Sequence, residues 1–362
     1  MKKIMILAAA AALALVSCAK VETIQNTNDE NAIVFGAYSG KVTETKLAAL
    51  TTSTLTSFGV YAYYTDGADW SASATPNFMF NQSVTGSHAG GFTYSPLKYW
   101  PNETSDKLSF FAYAPYMTMS NGIEEDSENT DTGAPTIKYT MPALEANQVD
   151  LLWATPLKNQ QRDTYGNNGK VAFVFNHALA KIEVKVRYLL ESINAGSTTG
   201  SALAAVTTVT LNEVHITGPF GGASGTLNLE TGVWSDVTLD DDNVTYSTTG
   251  LTQNVTNSNA AVTGINPAII LPNSTADPAA GYDVEVTVKY TVETTDGKLN
   301  GGKSTVVNTI TNTINDMTFV GGYAYNIVLV LGLESVKVDA TVSDSWAAGT
   351  DSEVDLPINT AV

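Results

Sequence analysis

The chain has 362 residues, 43% hydrophobic and only 15% charged, with 36 acidic against 18 basic side chains and a net charge of −18. That length and apolar fraction exclude wholesale disorder and predict about two domains. The charge excludes a nucleic-acid partner, which lysine and arginine must hold. One cysteine and three histidines (His88, His177, His215) leave no disulfide and no zinc cluster.

In chain order, Lys2 and Lys3 precede an apolar run from Ile4 to Val16, the pattern of a secretory signal too short to span a bilayer as a helix. Cys18 follows the small Ser17, with Leu15 three positions back, where a bacterial lipobox places its lipidated residue. The alternative is a plain signal peptide with an incidental cysteine. With a lipobox, the mature chain begins at Cys18, its thiol is consumed, and acyl chains hold the protein at the membrane. Ala19, not aspartate, then directs it to the outer membrane. No later stretch approaches 18 apolar residues, so that lipid is the one expected membrane attachment.

Residues 19–31 are rich in Asn, Thr and Glu and read as a tether. Ile33-Val34-Phe35 is a short apolar run, followed by polar residues carrying Lys41 and Lys46. From there β-formers dominate: Phe58–Tyr63, Leu108–Tyr113, Val171–Phe175, Ile182–Arg187 and Val336–Val342. Tyr282–Val292 alternates apolar and polar without a break, as a strand with one buried and one wet face does. Gly, Asn, Asp, Ser and Pro clusters punctuate these runs. Only 140–150 and 178–192 resemble helix, and the second alternates like a strand. The pattern predicts an all-β protein of two antiparallel sandwiches, divided in the polar stretch Asn159–Lys170.

Several motifs carry a chemical reading and a plainer one. Residues 297–304 (GKLNGGKS) match a phosphate-binding loop, but β-prone Thr305-Val306-Val307 follows where a helix should start, so a hairpin loop is the better reading. Five acids lie within Glu124–Asp131 and three more at Asp240–Asp242. Counting from Asp126, the twelfth position is Ile137 rather than a bidentate acid, so these read as solvated loops. His177 has no sequence-near nucleophile or acid and reads as structural. Trp70, Phe78, Phe80, Phe92, Tyr94, Tyr99 and Trp100 fit a sugar platform or a sandwich core equally. No catalytic constellation and no cofactor or metal site is expected.

Taken in order, these segments resemble the fimbrillin family of type V pilins: the lipobox at Cys18, Ile33-Val-Phe35 with a basic residue soon after, Phe58-Gly-Val-Tyr-Ala62, Tyr99-Trp-Pro101, Leu108–Tyr116, Asp150-Leu-Leu-Trp-Ala154, Val174-Phe-Asn-His177-Ala-Leu-Ala-Lys-Ile182, and Gly321-Gly-Tyr323 with Trp346. The resemblance implies two transthyretin-like β-sandwich domains in tandem. It divides the chain into a signal and lipobox (1–18), a tether with a cleavable strand (19–46), an N-terminal sandwich (47–170), a C-terminal sandwich (171–346) and a tail (347–362). It further implies an outer-membrane lipoprotein precursor that a trypsin-like surface protease matures into an extracellular fimbrium of pilin subunits, with tip and anchor partners and an adhesive role. The family's usual arginine at the cut is absent. Lys46, before Leu47, takes its place, with Lys41 as second choice, and an arginine-only protease would not act here.

The tail repeats a strand pattern, with Val354, Leu356, Ile358 and Val362 on one face. It reads either as an edge strand of its own domain, which suits Pro357, or as a donor strand entering the vacated groove of a neighbour. The competing function is a permanently anchored glycan-binding surface lipoprotein using the Trp/Tyr cluster.

Overall fold

The computed structural model describes residues 31–39, 50, 53–144, 147–162, 170–189, 206–239, 243–273, 281–295, 297–298, 300–332 and 336–343. Cys18, Lys41, Lys46, Leu47, Val354, Leu356, Ile358 and Val362 lie outside them.

The described chain is built almost wholly of strands in four sheets. In the first, β1 (Val34–Ser39), β10 (Lys170–His177), β8 (Leu152–Ala154), β5 (Leu108–Ala114), β2 (Ser57–Tyr64), β3 (Met79–Ser87) and β4 (Gly91–Thr93) lie side by side in that order, with β9 (Leu157–Gln160) also against β5. The second joins β14 (Trp234–Thr238), β13 (Ser224–Asn228), β7 (Thr136–Thr140) and β6 (Ile123–Glu125). The third joins β17 (Ala260–Ala261), β11 (Ala180–Tyr188), β21 (Ala324–Leu331) and β22 (Val336–Ser343), with β18 (Ala268–Ile270) also on β11. The fourth joins β15 (Val244–Thr248), β12 (Thr207–Gly218), β19 (Tyr282–Thr295) and β20 (Lys303–Met317), with β16 (Gln253–Val255) on β12.

Pairing is antiparallel as expected, with two exceptions: β1 runs parallel to β10, and β11 parallel to β21. The alternating segments behave as their period dictates. On β19, Tyr282, Val284, Val286, Val288 and Tyr290 are buried between the third and fourth sheets. The central strands β2 and β5 are buried on both faces because each side serves a different core. Phe58, Val60, Phe110 and Ala112 point into the curl of the first sheet, while Tyr61, Tyr63, Phe111 and Tyr113 pack against the second.

The second sheet crosses the expected boundary, since β6 and β7 precede residue 170 while β13 and β14 follow it. β10, beyond that boundary, is a strand of the first sheet. The polar stretch 159–170 therefore connects β9 to β10 within one sheet. Local polarity marks a surface connection and carries no information about which sheet the next strand joins.

Candidate functional site: the slot that holds the first strand

The side chains of β1 alternate because one face meets the core. Ile33 and Phe35 are 1% exposed and Ala37 0%, whereas Val34 and Tyr38 are 46% and 39% exposed. Phe35 sits among four rings: it stacks on Phe173 (centroids 5.8 Å apart), meets Phe58 and Phe110 edge-on at 6.1 and 6.2 Å, and leans on Tyr94 at 5.1 Å. Burying Ile33 and Phe35 contributes about 1.5–3 kcal/mol each before entropy losses.

The segment 31–39 is held on both sides. On one side it pairs with β10 from Val34↔Lys170 to Ser39↔Phe175. On the other, the first sheet curls until β4 and the segment after it come alongside. Ile33 N–H donates to the Lys98 carbonyl at 2.9 Å, Trp100 N–H donates to the Asn31 carbonyl at 3.0 Å, and Ala32 bridges Tyr99. The Tyr94 hydroxyl donates to the Ile33 carbonyl at 2.9 Å and accepts from Lys98 N–H at 3.3 Å. Burial pushes the Tyr94 phenol above its ordinary pKa, so it stays a donor. His88 Nδ1 lies 3.3 Å from the Ala37 carbonyl, and its ring meets Tyr38 edge-on at 5.0 Å. β1 is thus an outer strand of the first sheet, paired with β10 along its whole length and packed against the curled far end of the same sheet.

Just past residues 40–49 the chain is pinned again. Leu50 N–H donates to Asp150 Oδ2 at 2.8 Å. Asp150, fully buried, also meets His177 Nδ1 at 3.0 Å. Burial raises the Asp150 carboxyl above the usual carboxylate range, an effect partly offset by His177 and the Leu50 amide. Sequence reasoning missed this acid because it lies 27 residues away in the chain, just before β8. Antiparallel pairing of β8 with β10 sets His177 opposite Leu152 and so brings Asp150 to it. His177 is thus part of a buried pair with Asp150.

A family model described as fimbrillin-like matches residues 42–346. The chain belongs to the fimbrillin-like family. Both β1 and the tail 347–362 fall outside the matched stretch. This fimbrillin-like chain is similar in fold to a fimbrial protein from Bacteroides vulgatus, at TM-score 0.64 and 21% identity over 87% of this chain and 99% of that one. A proposed cell adhesion protein from Bacteroides uniformis matches at TM-score 0.47 and 20% identity, over 87% of this chain and 99% of that one. No curated protein matches the sequence.

The other sequence candidates fall in plain settings. The GKLNGGKS stretch joins β19 to β20 as a hairpin, closing on Thr295↔Lys303, with Gly301 and Gly302 at φ 99° and 73°. Only glycine adopts such angles freely, so the glycines serve the turn. In the first acidic loop, Asp126 accepts from the Thr136 hydroxyl at 2.7 Å and pairs with Lys138 at 3.1 Å, while Asp131 accepts from Glu128 N–H at 2.7 Å. Among the described residues no group of three His, Cys, Asp or Glu side chains converges as metal ligands would. Of the candidate sugar platform, Phe92 and Trp100 are buried and Tyr94 serves the slot. Trp70 packs on Tyr63 and lies under the Lys158 ammonium, 4.2 Å from the ring centre. Tyr99 is the exposed member, at 42%.

Proposed function

We propose that this fimbrillin-like protein is a non-enzymatic structural subunit of a surface fimbria that supports adhesion. In this reading it is exported as a lipoprotein through Cys18, cut after Lys46, and polymerised by strand replacement. Cleavage frees the segment carrying the lipid and β1, and the tail strand of a neighbour, through Val354, Leu356, Ile358 and Val362, fills the slot. One observation carries the reading: the segment 31–39 is held on both sides and buries Ile33, Phe35 and Ala37, yet its strand β1 is an outer one with the Lys41–Lys46 stretch directly after it.

Two further points support it. The Leu50–Asp150 bond anchors the chain on the far side of the cut, so a new N-terminus at Leu47 would sit close to a fixed point. The tail's apolar face has the same period as that of β1, as a replacement strand requires. The aromatic cluster that suggested a glycan platform is largely turned into the core, and no observation favours the anchored glycan-binding alternative.

The deciding experiment is N-terminal sequencing of subunits from isolated surface fibres, with and without trypsin-like protease activity. Subunits should begin at Leu47, and Lys46→Ala should hold the chain as a lipidated monomer. Fibres whose subunits still carry residues 31–39 would overturn the reading.

A further inference from the structure

Successive residues of a strand turn their backbone N–H and C=O groups to opposite edges, so β1 addresses its two sides with alternate residues. Ile33 donates to the Lys98 carbonyl and accepts from the Tyr94 hydroxyl, and the Ala37 carbonyl faces His88 Nδ1. The inward residues 33, 35 and 37 therefore turn their backbone groups away from β10. The outward residues 34, 36 and 38 are the ones that carry the ladder to β10. Two positions are tightly bounded. Ala37 lies wholly within the core of the slot, where added methylenes cost packing. Gly36, though outward, is buried beneath the Lys170 side chain: a Cβ there would come within 2.5 Å of Lys170 Cε and 3.1 Å of its Nζ.

We propose that the tail enters the slot in the reverse direction to β1, antiparallel to β10, with Ile358 in the place of Ile33, Leu356 in that of Phe35 and Val354 in that of Ala37. The inference rests on the strand-replacement reading above and adds its direction and register. The deciding residue is Pro357, which stands on the outward face of the tail and has no N–H to give. Running with β1, an outward residue in the slot faces β10, and the proline would break that ladder. Reversal keeps the apolar face inward and exchanges the two edges, so Pro357 turns towards Tyr94 instead. Its carbonyl then falls where the Ile33 carbonyl was, to accept the Tyr94 hydroxyl. The Asn359 N–H falls where the Ile33 N–H was, to donate to the Lys98 carbonyl. The proline nitrogen takes the place of the Phe35 amide, which none of these bonds uses.

Charge and volume select the same register. Reverse entry puts Asp355 at the position of Gly36, where its carboxylate meets the ammonium of Lys170. It sets isoleucine on isoleucine at position 33, leucine for phenylalanine at 35, and valine, the smallest of the three, at the bounded Ala37 position. Entry in the direction of β1 with Leu356 again at position 35 puts Ile358 at Ala37 and Pro357 under Lys170. Sliding that arrangement by two residues puts Pro357 at position 34 and the Thr360 hydroxyl into the apolar Ala37 position. Lys170 and the Ala37 position are thus the specificity-determining features of the slot, and Asp355 and Pro357 those of the strand that fills it.

The test is disulfide trapping in fibres assembled from the full chain, read as covalent ladders on denaturing, non-reducing gels. Val174, outward on β10 and 51% exposed, lies opposite position 38 of the slot. Reverse entry sets Glu353 there with its backbone groups turned away from β10, a pair about 4.5 Å apart at Cα that a disulfide can span. Val174→Cys with Glu353→Cys should give covalent ladders that collapse on reduction, whereas Val174→Cys with Asn359→Cys or with Ala361→Cys should not. A link from Asn359 or Ala361 would overturn the proposal, since each reports entry in the direction of β1. The absence of any link in chains that assemble as the wild type does would overturn it equally. Charge gives a second readout: Asp355→Lys should lower ladder yield several-fold, and Lys170→Glu in the same chain should restore it. Failure of that rescue overturns the register. A wild-type chain that forms no protease-dependent ladder faults strand replacement itself, whereas a ladder with the wrong link faults only its direction.

Discussion

Phe35 of β1 lies nearly flat on Phe173 of β10, with ring centroids 5.8 Å apart and planes 18° off parallel. The contact locks the register of the parallel pair, because a slip of one residue would turn Phe35 to solvent and Val34 into the core. It also makes Phe35 the side chain that any replacement strand must match in volume.

Phe35→Ala should therefore destabilise the precursor by about 3–5 kcal/mol, the cost of a large cavity in an aromatic core. Denaturant titration of the precursor measures this. A loss below about 1 kcal/mol would show that the slot collapses around the missing ring and is not preformed.

Tyr94→Phe removes the hydroxyl that caps the Ile33 carbonyl, at a cost of about 0.5–1.5 kcal/mol, while leaving the packing intact. Amide exchange along residues 34–39 should quicken, with β2 and β5 unchanged. Equal quickening across the whole first sheet would show that β1 does not open on its own.

Burial raises the Asp150 carboxyl above its ordinary value of 3.8, so between that value and its folded pKa the native state binds more protons than the unfolded one. Its contribution to stability is fully present below 3.8 and is lost as pH rises through the folded pKa. Asp150→Asn should remove that fall, and denaturant midpoints at a series of pH values for both proteins check it. A wild-type slope of the opposite sign across the same window, abolished by Asp150→Asn, would show that the His177 and Leu50 contacts outweigh burial.

Deleting Val354–Val362, or Leu356→Asp, should abolish protease-triggered oligomer ladders and leave the monomer's melting temperature unchanged. A deletion that instead lowers the melting temperature would assign the tail to its own sandwich.

Cys18→Ala should abolish fatty-acid labelling of the precursor, since no other stretch of the sequence approaches a membrane span. Equal label in the variant would locate the lipid elsewhere.

The sequence by itself determined that this is a β protein and where most of its strands run, because period two is a local property: each residue's neighbours on one face are two positions away. It placed β19, β11 and β22 closely, and it read GKLNGGKS as a hairpin from the β-prone residues that follow. Motif order was enough to suggest the family. Only the tertiary structure decided which strands share a sheet. Nothing local in Thr136–Thr140 says that it pairs with Ser224–Asn228, nor that β10 belongs beside β1. The same holds for the slot, since Tyr94, Lys98 and Trp100 become its far wall only once the first sheet curls upon itself. Asp150 and His177 are likewise brought together by the pairing of β8 with β10. Sheet pairing joins residues far apart in the chain through backbone groups that are alike at every position, so partner choice is set by how whole apolar faces fit together and not by any segment read alone.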